Sequence, residues 1–253
     1  MRENPKVHCL TNPVSMQDVA NILLAAGGSA IMAQEQEEVK EITAICDVTL
    51  LNTGVPDWNK IQACELAGME ANRLGHPVVL DPVGAGASTF RKNQLDNLTK
   101  QVKLTVIRCN QEEAATLLHK ENGVSGGVES AVKMEVDLQC EIAEQLAKKY
   151  SCAVLISGKT DVVSNGSETV QIAGGDARIA RITGSGCMLS ALCAFFCGRG
   201  EEPFVAAQRA SRLWKAVSAL AGKETDKNQG GIGTFHMKLF DCLEKLLKDD
   251  KMP

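Results

Sequence analysis

The stretch DVTLLNTGVPDWNKIQACELAGMEANRLGHPVVLDP (residues 47–82) has two short apolar runs on either side of a longer segment. The runs DVTLLNTG (47–54) and HPVVLDP (76–82) are rich in Val and Leu and have the length of buried strands. The segment from about Trp58 to Leu74 predicts a helix. A strand, a helix and a second buried strand predict two parallel strands joined by a crossover helix.

The same alternation continues on both sides of this unit. Further strands are predicted at VHCL (7–10), SAIMA (29–33), LTVIRCN (104–110) and CAVLISG (152–158), and further helices at 19–28, 111–119, from a Gly/Ser-rich loop at 122–127 to Tyr150, and at 187–197, 203–221 and 235–248. DVVSNGSETVQIA predicts a hairpin that turns at Asn165-Gly166. With no linker or internal repeat, the pattern predicts one α/β domain over residues 1–253. We expect a mostly parallel central sheet with helices on both faces.

Composition excludes several classes of function. The net charge of −4 and the scarcity of aromatic residues argue against nucleic acid or a membrane surface as partner. No apolar stretch has the length of a membrane span, and MRENPKVHCLTN does not resemble a secretory signal. The ten cysteines contain no C-x-x-C pair and the four histidines stand singly, so neither suggests a metal site. We expect mostly buried thiols in a reducing cytoplasm.

In a parallel sheet the ligand site lies beyond the carboxyl ends of the strands. One candidate there is TGSGC (183–187), a glycine turn that enters a helix whose first predicted residue is Cys187. The N–H groups of such a turn and the helix dipole favour an anion. A glycine turn chosen only for tight packing explains the spacing equally well. No Lys-Ser/Thr pair follows, so the segment is not a Walker motif.

Two other strand ends carry carboxylates. In RCNQEE (108–113), Asn110 and Glu113 suit Mg²⁺, although a helix N-cap with Glu113 at its third position is the better explanation of that segment alone. In LDPVGAG (80–86), Asp81 suggests a second carboxylate for metal and phosphate, and a surface turn remains an equal alternative.

Asn12 and Met32 follow early strands and suggest a pocket for a small heteroaromatic compound. A core methionine is the commoner explanation of Met32.

Together these segments resemble the hydroxyethylthiazole kinase family of the ribokinase-like superfamily, over nearly the whole chain. Seven segments follow the family's order: VHCLTN, the Met of SAIMA, NTG, LDPVGAG, IRCNQEE, ISGKTD and TGSGCMLSAL. The resemblance implies transfer of the ATP γ-phosphate to the primary hydroxyl of 4-methyl-5-(2-hydroxyethyl)thiazole, for thiamine salvage. It also implies Mg²⁺ and a homotrimer with substrate pockets at subunit contacts.

The resemblance also assigns roles to residues. The ATP side is expected to contain Arg108, Asn110 and Ser157, and the site for Mg²⁺ and the phosphates Asp81 and Glu113. The thiazole pocket is expected to contain Asn12, Met32 and Gly184. The catalytic turn is expected to comprise Gly184, Ser185, Gly186 and Cys187. Three positions depart from the family: Cys109 stands where Gly is common, Ser157 where Thr is frequent, and Ser185 where Thr or Ala is frequent.

Ribokinase relatives have an Asp base at the position of Cys187. A thiol at a helix N-terminus is expected to have a lowered pKa and to accept a proton as thiolate, less effectively than a carboxylate. We therefore hypothesise that Cys187 orients or weakly deprotonates the alcohol, while the amides of the turn stabilise the transferring phosphoryl group.

Other functions remain as alternatives. The same fold would serve a kinase for a hydroxymethylpyrimidine or pyridoxal alcohol, or a non-catalytic nucleotide-binding regulator. The retained carboxylates and glycine turn argue against the regulator. A dinucleotide oxidoreductase is disfavoured because no G-x-G-x-x-G follows the first strand.

Overall fold

The computed structural model describes residues 3–118 and 135–248, and their strands form one eight-stranded sheet in the order β2-β1-β3-β4-β5-β6-β7-β8. The strands are β1 (Lys6–Leu10), β2 (Ser29–Ile31), β3 (Val48–Asn52), β4 (Val78–Asp81), β5 (Val106–Asn110), β6 (Ala153–Ser157), β7 (Thr160–Ser164) and β8 (Thr169–Ala173). Neighbours from β2 through to β6 are parallel, whereas β7 and β8 are antiparallel additions. The predicted mostly parallel sheet is confirmed.

The described helices are α1 (Met16–Ala25), α2 (Val39–Ile45), α3 (Trp58–Leu74), α4 (Thr89–Gln101), α5 (Gln111–Leu118), α6 (Val136–Tyr150), α7 (Ser185–Gly198), α8 (Pro203–Lys227) and α9 (Ile232–Lys248), with a 3₁₀ turn at Ala177–Arg181. α3 matches its predicted bounds, and α7 begins two residues earlier than predicted. The hairpin is confirmed, but its loop runs from Asn165 to Glu168 because Ser164 pairs with Thr169. The predicted Gly/Ser-rich loop at 122–127 lies outside the described residues.

Helices cover both faces of the sheet, as predicted. On one face α1, α7, α8 and α9 contribute to one apolar core, and on the other α3, α4, α5 and α6 contribute to a second. α7 is buried along its length from Cys187 to Gly198, which explains why it is apolar on all sides.

The strand order places the site. From β1 the chain proceeds outward to β2 and then returns to pair β3 on the other side of β1, so the direction of winding reverses between β1 and β3. Parallel sheets open a crevice at such a reversal, beyond the carboxyl ends of the strands. Asn52 ends β3, Asn12 follows β1 by two residues, and α7 packs against both strands. The start of α7 therefore lies beside the two asparagines.

Candidate active site

The glycine turn before α7 has a backbone that requires glycine. Gly184 is the N-cap in the left-handed region, with φ of 79°. A Cβ there would lie 2.8 Å from the Cβ of Ser15, so both conformation and space exclude a side chain. The Met188 N–H donates to the Gly184 carbonyl at 2.9 Å, which begins the helical bonding. Gly186 and Cys187 precede it in the first turn, where N–H groups have no acceptor within the helix, so they are suited to an anion.

Arg108 of β5 lies directly against this turn. A Cβ on Gly186 would overlap the Arg108 guanidinium, so a second glycine permits the close approach. Arg108 Nη1 lies 3.5 Å from Asp81 Oδ1, and Nη2 donates to Ser157 Oγ at 2.5 Å. Although burial opposes the charge, Asp81 and Glu113 raise the pKa of Arg108. The structure thus brings together four features that were predicted separately: the ATP-side Arg and Ser, the metal carboxylate and the glycine turn.

Asn52 connects the carboxylate to the thiol. Its Nδ2 donates to Asp81 Oδ2 at 2.7 Å and to Cys187 Sγ at 3.1 Å, and its Oδ1 accepts from Asn12 Nδ2 at 2.9 Å. Asn12 is also 3.7 Å from the same sulfur. Asn52 belongs to the NTG segment at the end of a predicted strand, but the sequence alone suggested no role for it. It is the residue that joins Asp81, Asn12 and Cys187 into one cluster.

The expected lowering of the Cys187 pKa is wrong. Burial, followed by the charge of Asp81, raises the pKa of this thiol to about 12. Both effects disfavour the thiolate, and together they exceed the stabilisation that the positive end of the α7 dipole would give it. The thiol is consequently protonated at neutral pH and can act only as a weak hydrogen-bonding group.

Asn110 and Glu113 form a capping box at the start of α5. The Glu113 N–H donates to Asn110 Oδ1 at 2.8 Å, and the Asn110 N–H donates to Glu113 Oε2 at 2.9 Å. This is the helix cap that the segment alone favours. Glu113 Oε1 also accepts from the Gly84 N–H at 2.9 Å, which ties the PVGAG turn to α5. The cap holds the Glu113 carboxylate at the ends of the strands, so serving as a helix cap does not prevent it from also serving in the site.

The charge of Asp81 acts on the nearby carboxyl group of Glu113. Burial and the charge of Asp81 raise the pKa of Glu113 to about 7, against the opposing effect of Arg108. Among residues 3–118 and 135–248, no three His, Cys, Asp or Glu side chains group as a metal site. Two carboxylates nevertheless fit Mg²⁺, which keeps several waters and takes phosphate oxygens as further ligands. A cation there would also offset the negative charge that raises the pKa of Glu113.

Comparison with known proteins agrees with this geometry. The model of the hydroxyethylthiazole kinase family matches residues 1–249. The chain belongs to this family. A hydroxyethylthiazole kinase of Alkaliphilus oremlandii is 38% identical over 251 residues, covering 98% of this chain and 90% of the relative.

Solved structures place the family within a wider fold. The hydroxyethylthiazole kinase protein of Pyrococcus horikoshii OT3 has a TM-score of 0.85 and 32% identity, covering 96% of this chain and 88% of that one. A ribokinase-like superfamily protein of Enterococcus faecalis has a TM-score of 0.69 at 14% identity, covering 98% and 88% of the two chains. The second likeness concerns the fold alone, and it supports the predicted ribokinase-like architecture.

The structure shows where two residues singled out by the family resemblance lie. Cys109, where the family commonly has Gly, is fully buried in the core beneath α3 to α6. Its neighbour Arg108 reaches the site on the other side of the strand, so the extra side chain does not enter the cleft. Met32 is partly buried against the core that contains α1 and α7, and none of the described hydrogen bonds joins it to the Asn12 cluster. Its place in a substrate pocket stays a prediction.

A buried lysine behind the cluster was not predicted. Lys60 of α3 is 3% exposed, and its Nζ donates to the Gly54 carbonyl at 2.5 Å. Burial lowers its pKa. Together with Arg91, it lines a small cleft next to Asn52, between α3 and α4. A lysine in a helical segment gives no signal of such a position.

Proposed function

We propose that the chain transfers the γ-phosphate of ATP to the primary hydroxyl of 4-methyl-5-(2-hydroxyethyl)thiazole and so contributes to thiamine salvage. The observation that carries this proposal is the contact between the glycine turn of α7 and Arg108, with Asp81 at the same guanidinium. Phosphoryl transfer needs positioned donors and neutralised charge more than a strong base. A first-turn anion site, a buried Arg and two carboxylates provide these elements.

Each part of the cluster has a defined task. The amides of Gly186 and Cys187 and the Arg108 guanidinium stabilise the negative oxygens of the transferring group. Asp81 and Glu113 would hold Mg²⁺, which supplies charge neutralisation between the phosphates when bound. Ser157, which accepts from Arg108, holds the guanidinium towards the nucleotide side.

The acceptor alcohol is proposed to lie at the Asn12 and Cys187 side of the cluster, with Gly184 and Met32 completing the pocket. Because the Cys187 thiol is protonated, it orients the hydroxyl and does not remove its proton early. A loose transition state lets the alcohol keep its proton until late, so this arrangement is sufficient.

Assembly as a homotrimer and a cytoplasmic location complete the proposal. All ten cysteines are unpaired, which fits a reducing compartment. Among the described helices, none is both long and apolar enough to cross a bilayer.

An acceptor comparison tests the function. The purified chain is incubated with ATP, Mg²⁺ and the thiazole alcohol, and ADP release is followed, with pyridoxal and hydroxymethylpyrimidine as competing acceptors. We expect the thiazole alcohol to give the highest kcat/KM. A higher kcat/KM for either competitor would identify the chain as a kinase for that alcohol instead. If none of the three acceptors gave ADP release, the nucleotide-binding regulator would be favoured.

A further inference from the structure

His8 is a buried group that the proposed reaction does not use. It lies in the middle of β1 and is fully buried. Its Nε2 is 2.9 Å from the Ala33 carbonyl oxygen, and its Nδ1 is 2.9 Å from Thr43 Oγ1. A carbonyl only accepts, so Nε2 carries the hydrogen and Nδ1 accepts from the Thr43 hydroxyl. The ring is thereby fixed in one tautomer and one orientation.

The segment that His8 holds makes few hydrogen bonds to the sheet. β2 is three residues long and lies at the edge of the sheet, where it pairs only with β1. The last residue pair in this register is His8 with Ile31. Met32 and Ala33 lie beyond it, so the Ala33 carbonyl has no strand partner to supply its hydrogen bond. The His8 ring supplies that bond from the neighbouring strand.

A second tether holds the next carbonyl in a different way. Asn59 Nδ2 donates to the Gln34 carbonyl at 3.2 Å, in an exposed contact that water can replace. The His8 contact is buried, so losing its donor leaves the Ala33 carbonyl unsatisfied. Of the two tethers, His8 therefore has the larger effect on where residues 32 and 33 lie.

We propose that His8 is a positioning residue, whose Nε2–H holds the Ala33 carbonyl and thereby keeps Met32 in place beside the ring of the acceptor alcohol. This inference rests on the proposed function. Its effect concerns the acceptor alone, because His8 touches no residue of the ATP side among its described contacts.

Two substitutions separate the two bonds of the ring. The amide of His8→Asn reaches the position of Nδ1 and keeps the Thr43 contact only, whereas the longer His8→Gln places its amide near Nε2 and keeps a donor for Ala33. We expect the Asn variant to raise the KM for the thiazole alcohol about tenfold, with the KM for ATP within about twofold of wild type. In the Gln variant, the KM for each substrate should remain within about threefold of the wild-type value.

Thr43→Val is the matched control. It removes the other buried bond of the same ring and costs stability, but it leaves the Ala33 contact, so we expect an unchanged KM for the thiazole alcohol. The proposal would be overturned if Thr43→Val raised the KM for the thiazole alcohol as much as His8→Asn, or if His8→Asn did not raise it. Hydrogen exchange at residues 32–36 gives an activity-independent readout: it should accelerate in His8→Asn and not in His8→Gln. Lack of thiazole-dependent ADP release by the wild type would contradict the proposed function alone.

Discussion

Cys187 is a thiol at the N-terminus of a buried helix, where local sequence rules predict a lowered pKa. Those rules consider the helix dipole but not the neighbours that the fold supplies. Burial of the thiol in the first turn of α7, followed by the charge of Asp81, reverses the direction of the shift, so the pKa rises to about 12. The position can be found from sequence, whereas its protonation state depends on residues more than a hundred positions away.

The protonated thiol leads to a prediction for kcat. Cys187→Ala should reduce kcat less than tenfold, well short of the roughly 10²–10⁴ loss expected when a general base is removed. Cys187→Asp should raise kcat, because a carboxylate is the better proton acceptor. Steady-state ADP release measures both, with circular dichroism as the control for folding. Complete loss of turnover in the Ala variant would contradict the weak role of the thiol.

Gly186→Ala tests the approach of Arg108 to the turn. The added Cβ would overlap the guanidinium and push it away from the amides, so we expect the KM for ATP to rise by about tenfold or more, equivalent to about 1.4 kcal/mol. Gly233→Ala is the control, because that exposed helical glycine has open space around its Cα. If Gly186→Ala bound ATP as tightly as the control, the guanidinium would not belong to the nucleotide site.

Glu113 predicts a pH dependence of stability. Its folded pKa of about 7 lies above the ordinary value of 4.5, so the folded state binds the proton more tightly than the unfolded state. Stability from this group is therefore full below about pH 4.5 and is lost as pH rises through about 7, by up to about 3 kcal/mol. Urea unfolding in Mg²⁺-free buffer should show this decline in wild type and a flatter profile in Glu113→Gln. Parallel profiles of the two proteins would contradict the raised pKa of Glu113.

At the scale of elements, the strands were easier to predict than two of the helices. Apolar runs such as VVLD identify buried strands because both faces of a parallel sheet are covered. α4 was not predicted, since only Leu95 and Leu98 of its thirteen residues are buried. It is held against α3 by tertiary contact, and its own periodicity is weak. α2 is seven residues long and was also not assigned from its acidic sequence.

The packing of α3 on α4 gives a prediction of its own. A Cβ on Gly68 would lie 2.6 Å and 2.7 Å from the two methyl carbons of Val102 at the end of α4. We expect Gly68→Ala to destabilise the protein by about 1–3 kcal/mol in urea unfolding, despite the better helix propensity of Ala. Val102→Ala in the same chain should recover part of that loss. Equal stabilities of the single and double variants would show that the backbone adjusts elsewhere.

For the whole molecule, the alternation of strands and helices was sufficient to predict the α/β class, the parallel sheet and its covered faces. Strand ends pointed to Asp81, whereas Arg108 and Ser157 were singled out by the family resemblance; the structure places the Arg108 guanidinium against both of the other side chains. Sequence position could not supply the order of strands in the sheet. For that reason the bridging place of Asn52 and the burial of Lys60 were not predicted, because both depend on which strand lies beside which.

The proposed homotrimer predicts a mass. Light scattering during size-exclusion chromatography should give three times the mass of the chain. The value should hold on dilution through the micromolar range if the contacts are as extensive as those of stable oligomers. A monomer retaining full activity would exclude a pocket built from two subunits.

The reversal of strand order between β1 and β3 brings together, at one cleft, residues from two separate parts of the sequence. Asn12, Met32 and Asn52 all precede residue 55, whereas Asp81, Arg108 and the glycine turn all follow it. In the proposed site, substitutions in the first segment reshape the Asn12 and Met32 side of the acceptor pocket, while Asp81 and Arg108 are inherited unchanged and the glycine turn serves both substrates. A fold arranged in this way lets a lineage acquire a new alcohol without evolving phosphoryl transfer again.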